Sequence, residues 1–195
     1  MKELKKSQVV MLIVIGLFLT CTTVGLKYNV PPCYRMDLSM APVLMVSSCC
    51  LKNRYERLLL LLVKEVATIF LGNPGIGFLE HLGLTAMGLV FDILMLEMWM
   101  IVSDKTGWEK ATVFIWAAMT YALAGVVLNA VVVAKLLSEA WYVDIQWLVS
   151  YAGMYNVRVT NFYSFLIHTV KDFYVSKFLF TGLLSFLLKR VFASE

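Results

Sequence analysis

The sequence contains few charged residues, and this scarcity argues against a soluble protein. Only 15% of the 195 residues are charged and 61% are hydrophobic, and the mean hydropathy is +0.79. In soluble domains about a quarter of the residues are charged and about half are apolar. A single core in so short a chain cannot enclose this much apolar surface. The composition therefore predicts that lipid covers part of the protein.

The chain also lacks the motifs of several enzyme and binding classes. The glycine-rich segment 72–77 is not followed by Lys-Ser/Thr, which indicates a turn and not a phosphate-binding loop. Glu80-His81 lacks the second histidine of a metalloprotease helix. The 4 cysteines form no C-x-x-C pair and have no histidine at ligand spacing, which disfavours a zinc site. We therefore expect neither an enzyme nor a protein that holds a metal or cofactor.

Apolar runs separated by short polar or proline- and glycine-containing segments fill most of the sequence. A helix rises about 1.5 Å per residue, so about 20 residues cross a hydrocarbon layer of about 30 Å. We predict an all-α membrane protein in which residues 1–195 form one transmembrane domain with six helices. Residues 137–160 are predicted to be a longer loop between the fifth and sixth spans. Its Trp and Tyr residues suit the lipid headgroup level, and the sequence leaves open whether it is helical or merely interfacial. The predicted spans are approximately 8–26, 38–51, 57–72, 79–103, 109–136 and 161–188.

Positive charges collect on one side of these predicted spans. The other side holds little more than Lys27, Arg35 and Arg158. Because cytoplasmic loops carry the excess of Lys and Arg, we expect a multi-pass plasma-membrane protein with both termini in the cytoplasm. The positively charged residues assigned to the cytoplasmic side are Lys2, Lys5, Lys6, Lys52, Arg54, Arg57, Lys105, Lys110, Lys189 and Arg190.

Several predicted spans contain polar residues that lipid does not readily accept. A charged side chain at mid-bilayer costs roughly 2.5–3.5 kcal/mol even on a lenient scale. Counted at about 1.5 Å per residue, Lys64, Asn129 and His168 each fall about 10–12 Å below the outer surface, with Lys171 one turn deeper. Polar groups from three helices at one level indicate a cavity that opens to the outside.

The helical spacing of two groups of residues agrees with such a cavity. Residues at i, i+4, i+7 and i+11 lie on one stripe of a helix. One stripe is predicted in the fifth span, where small residues favour close helix packing, and one in the sixth. The first consists of Ala118, Ala122, Gly125 and Asn129, and the second of Asn161, Phe165, His168 and Asp172.

A structural interpretation of the same polar residues stays open. The Lys64–Glu65 and Lys171–Asp172 pairs could neutralise charges on other helices, and Asn129 could form an interhelical hydrogen bond. Asp92 is expected below the cavity. Glu97 lies near enough to the cytoplasmic edge to be interfacial.

Three stretches of the chain carry a family resemblance. Residues 37–42 (DLSMAP) look like a D-hydrophobic-S-x-x-P start of a second helix, and residues 62–65 (LVKE) precede a glycine-rich turn. Asn129 looks like a fifth-helix Asn, and residues 165–171 look like a sixth-helix F-N-x-x-K. His168 stands where that sixth-helix motif has its Asn, three residues before Lys171. In this order they resemble the substrate-binding S components of energy-coupling factor (ECF) vitamin transporters, with the riboflavin-type members most similar.

The resemblance implies capture of a vitamin-like molecule, with riboflavin as the first candidate, in an outward-facing cavity. Uptake would then need an ECF transmembrane T subunit and two ABC ATPases as partners. A lid loop would contain Tyr28, Pro31 and Pro32. The alternative is a membrane scaffold protein of the cell envelope without small-molecule transport. The expected ligand-binding residues are Lys64, Asn129, Phe165, His168, Lys171, Tyr34 and Asp37.

Overall fold

The computed structural model describes residues 29–30, 34–35, 38–71 and 78–193, and these residues are almost entirely helical. Two-residue strands, β1 (Asn29–Val30) and β2 (Tyr34–Arg35), pair antiparallel. Six helical segments follow in the described part of the chain. They are α1 (Met40–Cys49), α2 (Arg54–Leu71), α3 (Phe78–Ser103), α4 (107–141), α5 (Ile145–Tyr155) and α6 (162–193).

Two of these helices contain a π-helical turn, in which hydrogen bonds span five residues instead of four. The turn in α4 is Asn129–Val133, between the α-helical parts Gly107–Leu128 and Ala134–Trp141. The turn in α6 is Leu166–Val170, between Phe162–Phe165 and Lys171–Ala193. Each π-turn inserts one extra residue, so it rotates the helix face that follows it.

The helices agree with most of the predicted spans. The predictions 38–51, 57–72, 79–103, 109–136 and 161–188 correspond to α1, α2, α3, α4 and α6. The first predicted span, 8–26, lies outside the described residues, as do the proposed lid residues Tyr28, Pro31 and Pro32.

The connection 137–160, whose conformation the sequence leaves open, is largely helical. Helix α4 continues to Trp141, and α5 occupies Ile145–Tyr155. Asp144 caps α5, since its side chain accepts a hydrogen bond from the Gln146 backbone amide. Between the two helices, Tyr142 takes a left-handed conformation with φ 52°, which ends α4.

Two described helices are long and apolar enough to cross a membrane, over Thr85–Ser103 and Gly107–Glu139. Most of the large side chains exposed on these two helices are apolar. In α4, Trp116, Leu123 and Val131 are 70%, 64% and 70% exposed, whereas Asn129 on the opposite face is fully buried. Large exposed apolar faces with polar residues inside are typical of lipid-facing helices. The six-span arrangement stays a prediction.

An aromatic core joins α3, α4 and α6. The ring of Phe91 lies 4.6 Å from that of Tyr174, and the rings of Tyr121 and Phe178 are 5.6 Å apart. The short helix α1 packs against α6 and α3, and its residues from Met40 to Ser47 are all buried. A helix that is apolar on every side needs such an internal position.

The small-residue stripe in α4 allows the close helix packing predicted for it, and the helix that packs against it is α6. Ala118 and Ala122 are buried, and a Cβ atom added at Gly125 would overlap the ring of Tyr174. The predicted stripe in α6 is wrong, because Asn161 and Asp172 are exposed while Phe165 is buried. Asn161 has an extended backbone and caps the start of α6, so it is not part of the helix. The π-turn between Phe165 and Asp172 rotates the helix, so regular helical spacing does not reach Asp172.

We expect Gly125→Ala to destabilise the protein because the Tyr174 ring must move. Overpacking of this kind costs roughly 1–3 kcal/mol, and in a chain of this size each kcal/mol lowers Tm by about 2–4 °C. Gly88→Ala is the matched control, since among the described residues no atom lies within 4 Å of a Cβ built there. Thermal unfolding followed by circular dichroism in detergent measures both. Equal Tm values for the two variants would contradict close packing at Gly125.

Candidate functional site

Four charged side chains from α2, α3 and α6 meet inside the bundle, and we call them the charge cluster: Lys64, Glu65, Asp92 and Lys177. The Lys64 Nζ lies 2.7 Å from Glu65 Oε1 and 2.5 Å from Asp92 Oδ2. The Lys177 Nζ lies 3.5 Å from Asp92 Oδ1. Two positive and two negative formal charges therefore balance within one cluster.

The burial of the charge cluster makes this balance necessary. Lys64, Glu65 and Asp92 are 7%, 6% and 2% exposed. A buried charge without a partner costs several kcal/mol, and removal of one member of a buried pair typically costs 3–5 kcal/mol. The cluster therefore fixes how α2, α3 and α6 face one another.

The position of Lys64 differs from the predicted one. The structural interpretation, in which Lys64 neutralises a charge on another helix, is the arrangement observed. Lys64 lies level with Asp92, which the sequence places deeper, and both lie beside Lys177. More than two turns of α6, about 13 Å, separate Lys177 from His168. The structure therefore does not group Lys64 with His168.

Asn129 forms a hydrogen bond between two helices, which the sequence leaves open as the alternative to ligand binding. Its Nδ2 donates to the Gly125 carbonyl at 2.8 Å and to the Tyr174 hydroxyl at 3.2 Å. Tyr174 is buried, and its ring packs edge-on against that of Tyr121 with centroids 5.5 Å apart. Because Tyr174 lies one turn before Lys177, this polar contact lies close to the charge cluster.

The two π-turns contact each other, and we call them the π-turn pair. Asn129 begins the first turn and His168 lies in the second. Phe165, which is fully buried, directly precedes the second turn, and Lys171 directly follows it. Four of the predicted ligand-binding residues thus lie in or directly beside the π-turn pair, and single π-turns in α-helices are frequently found at functional sites.

The side chains around the second π-turn differ in exposure and in their partners. His168 is half-buried, and its backbone carbonyl accepts a hydrogen bond from Asn156 Nδ2 at 3.3 Å. The Lys171 Nζ lies 3.3 Å from Asp172 Oδ1, with side chains 40% and 60% exposed. Among the described residues, Lys171 therefore pairs with its neighbour at a partly exposed position and not with a charge on another helix.

The remaining predicted ligand residues have little structural description. Tyr34 pairs with Val30 in the short antiparallel ribbon, but its side chain lies outside the described residues, as does all of Asp37. Glu97 makes a 2.8 Å ion pair with Arg54, with side chains 40% and 70% exposed, which fits the predicted interfacial position.

Sequence reasoning missed Lys177, Tyr174 and Tyr121. Lys177 lies in an apolar stretch of the sixth predicted span, so the rule that a charge within a span needs a partner could have identified it. Nothing in the spacing distinguishes the two tyrosines from other aromatic core residues.

The described residues contain no group of three or more His, Cys, Asp or Glu side chains that could hold a metal ion. A comparison with models of protein families found no match, and a comparison with curated proteins found no significant one. The resemblance to ECF S components therefore depends on the sequence motifs and stays a prediction.

We expect Asp92→Asn to be severely destabilising, because it leaves the cluster with one excess positive charge. The predicted loss is roughly 3–5 kcal/mol of unfolding free energy. Asp92→Asn/Lys177→Gln restores the charge balance and should recover part of that loss. Denaturant unfolding of detergent-solubilised protein, followed by tryptophan fluorescence, measures each variant.

The control for Asp92→Asn is Glu97→Gln, which breaks the exposed ion pair with Arg54. An exposed pair contributes about 0–1 kcal/mol, so Glu97→Gln should change stability little. Two results would contradict a stabilising charge cluster. One is an equal loss of unfolding free energy in Asp92→Asn and Glu97→Gln. The other is an Asp92→Asn/Lys177→Gln variant that is less stable than Asp92→Asn alone.

Proposed function

We propose that the chain is a six-span plasma-membrane protein, with both termini in the cytoplasm, that captures a small molecule for an ECF-type importer. Polar and charged residues are buried between the helices while large apolar side chains are exposed. This distribution and the two long apolar helices support the membrane location. The distribution of Lys and Arg along the sequence supports the orientation. The observation that carries the capture function is the contact between the two π-turns, because Asn129 and His168 lie in them and Phe165 and Lys171 lie directly beside the second.

The chemistry of these residues suits a flat heteroaromatic ligand. Binding sites for small molecules are mostly apolar and contain a few polar groups that fix the orientation of the ligand. His168 and Lys171 supply an imidazole and an amine that are partly exposed. The half-buried Phe162, whose ring lies 6.2 Å from that of the buried Phe165, supplies aromatic surface. Riboflavin, suggested by the sequence resemblance, is the first candidate.

Transport would depend on partner subunits. The sequence contains no phosphate-binding loop of its own, so ATP hydrolysis would come from two ABC ATPases coupled through a transmembrane T subunit. The chain would then supply substrate recognition only.

A scaffold function is the alternative, and one observation favours it. Lys64 and Asn129, both predicted to bind ligand, make contacts within the bundle to Asp92 and Tyr174. If the other polar residues also serve packing alone, the protein holds partner proteins and not a vitamin.

We expect a vitamin to raise the unfolding temperature of the purified protein in a ligand screen led by riboflavin. At about 1,000 times Kd, a ligand that binds only the folded state adds about 4 kcal/mol. Lys171→Ala should weaken binding roughly 10–100-fold, as expected for loss of a hydrogen bond from a charged group. Lys52→Ala is the control, because Lys52 is exposed and distant from Lys171 in the sequence. This variant should bind the ligand normally.

A pair of variants separates ligand contact from packing at Asn129. Asn129→Ala and Tyr174→Phe both remove the hydrogen bond between α4 and α6. If Asn129 contacts the ligand, Asn129→Ala weakens affinity well beyond Tyr174→Phe. Equal affinities for both variants, or no shift with any vitamin, would favour the scaffold function.

A further inference from the structure

A line of polar side chains on α6 continues from the charge cluster towards the end of that helix. Lys177, Thr181 and Ser185 are spaced four residues apart, so they follow one face of α6 over about 12 Å. Thr181 is fully buried and Ser185 is 1% exposed. Among the described residues, neither hydroxyl oxygen has a hydrogen-bond partner. We call Thr181 and Ser185 the hydroxyl stripe.

Other buried polar atoms belong to the helices that pack around the hydroxyl stripe. Ser47 on α1 and Trp99 on α3 are 1% and 2% exposed, and in the described part of the chain neither Ser47 Oγ nor Trp99 Nε1 has a hydrogen-bond partner. Helix α1 packs against α6, and the ring of Trp99 lies 4.7 Å from that of Phe186, which follows Ser185. Buried polar groups without a protein partner are usually satisfied by ordered water. The hydroxyl stripe therefore has the chemistry of a hydrated path.

At the other end of this line are two carboxyl groups of the charge cluster, Glu65 and Asp92, which we call the carboxyl pair. They lie within hydrogen-bonding reach of each other. Two carboxyl groups can form a hydrogen bond only when one of them carries a proton. Asp92 Oδ1 is buried and accepts no hydrogen bond from the residues that the structure describes, although the Lys177 Nζ lies 3.5 Å away. The carboxyl pair is therefore arranged to hold a proton.

Lysines and phenols are the other titratable groups that face the carboxyl pair. Lys64 on α2 and Lys177 on α6 contact it. The phenol of Tyr174 on α6 is close enough for its charge to interact with Asp92, and Tyr121 on α4 packs against Tyr174. In α1, residues 40–48 include no titratable side chain. The two lysines balance the two carboxylates, so a bound proton would give the charge cluster one excess positive charge.

We propose that the carboxyl pair binds a proton and exchanges it with the cytoplasm along the hydroxyl stripe. Hydroxyl groups both donate and accept hydrogen bonds, so Ser185 and Thr181, with water between them, can pass a proton to Asp92. The proton would come from cytoplasmic water and return to it, and only O–H bonds would form and break. Buried ionisable residues in membrane spans often mark proton relays. The cytoplasmic direction rests on the proposed orientation, whereas the proton site is independent of the molecule that the π-turn pair binds.

Infrared spectroscopy of the full chain in detergent tests the proton site. Exposed carboxyl groups have pKa values of about 4, so they are ionised both at about pH 6 and at about pH 9. The difference spectrum between these two pH values should contain the C=O band of one protonated carboxyl group. Glu65→Gln/Lys177→Gln keeps the charge cluster neutral but removes one carboxyl group, so this band should disappear. Glu97→Gln is the control and should retain the band.

The rate at which the same band shifts after transfer to D₂O tests the hydroxyl stripe. Thr181→Val and Ser185→Ala keep every charge, and each should slow the shift roughly tenfold, the effect of one lost hydrogen bond. Thr120→Val is the matched control, because Thr120 is an exposed threonine on α4, and it should leave the rate unchanged. Loss of a hydrated hydroxyl should also lower the Tm of Thr181→Val by roughly 2–4 °C.

Two kinds of result would overturn this proposal. A difference spectrum without a carboxyl band, or a band that persists in Glu65→Gln/Lys177→Gln, would exclude the shared proton. Unchanged exchange in both Thr181→Val and Ser185→Ala, or a Tm of Thr181→Val above that of the wild type, would show a dry stripe. In a dry stripe the valine would remove the cost of a buried hydroxyl without a partner. No vitamin takes part in these measurements, so they fail or succeed separately from the ligand screen.

Discussion

The fold depends on the neutralisation of Asp92 between two lysines from different helices. Asp92 is almost fully buried, and Lys64 and Lys177 contact its two carboxylate oxygens. In surroundings of low polarity these ions are tolerated only together, so α2 and α6 must both present a lysine to α3. The aromatic core and the close approach at Gly125 then determine how α4 packs against the same surface of α6.

Most of the helices could be predicted from the sequence because polar turns separate long apolar runs. The turn after Ser103 and the basic segment before α2 mark boundaries that the structure reproduces closely. Helix α5 was not predicted, since its Trp and Tyr residues suggest the headgroup level equally well in a loop or a helix. Asp144 at its N-cap is the local signal that could have indicated a helix.

The candidate site was only partly predictable. The sequence places Asn129 and His168 at one level, and the π-turns that contain them contact each other. It places Lys64 at that level too, but the charge of Lys64 pairs with Asp92, which the sequence places deeper. The π-turns themselves leave no regular spacing in the sequence, so the rotation of α6 after Phe165 could not be predicted. The contact between the π-turns brings Asn129 near residues 165–171, which the family resemblance relates only by their order in the sequence.

The central claim is that the outer faces of the helices contact lipid while their charges are enclosed. Spin labels at Leu123, Val127 and Lys105, in a chain with its cysteines replaced by serine and reconstituted in vesicles, test this directly by power saturation. The account predicts frequent collisions with oxygen and rare collisions with a water-soluble nickel complex at Leu123 and Val127, and the reverse at Lys105. Nickel collisions as frequent at Leu123 as at Lys105 would contradict it.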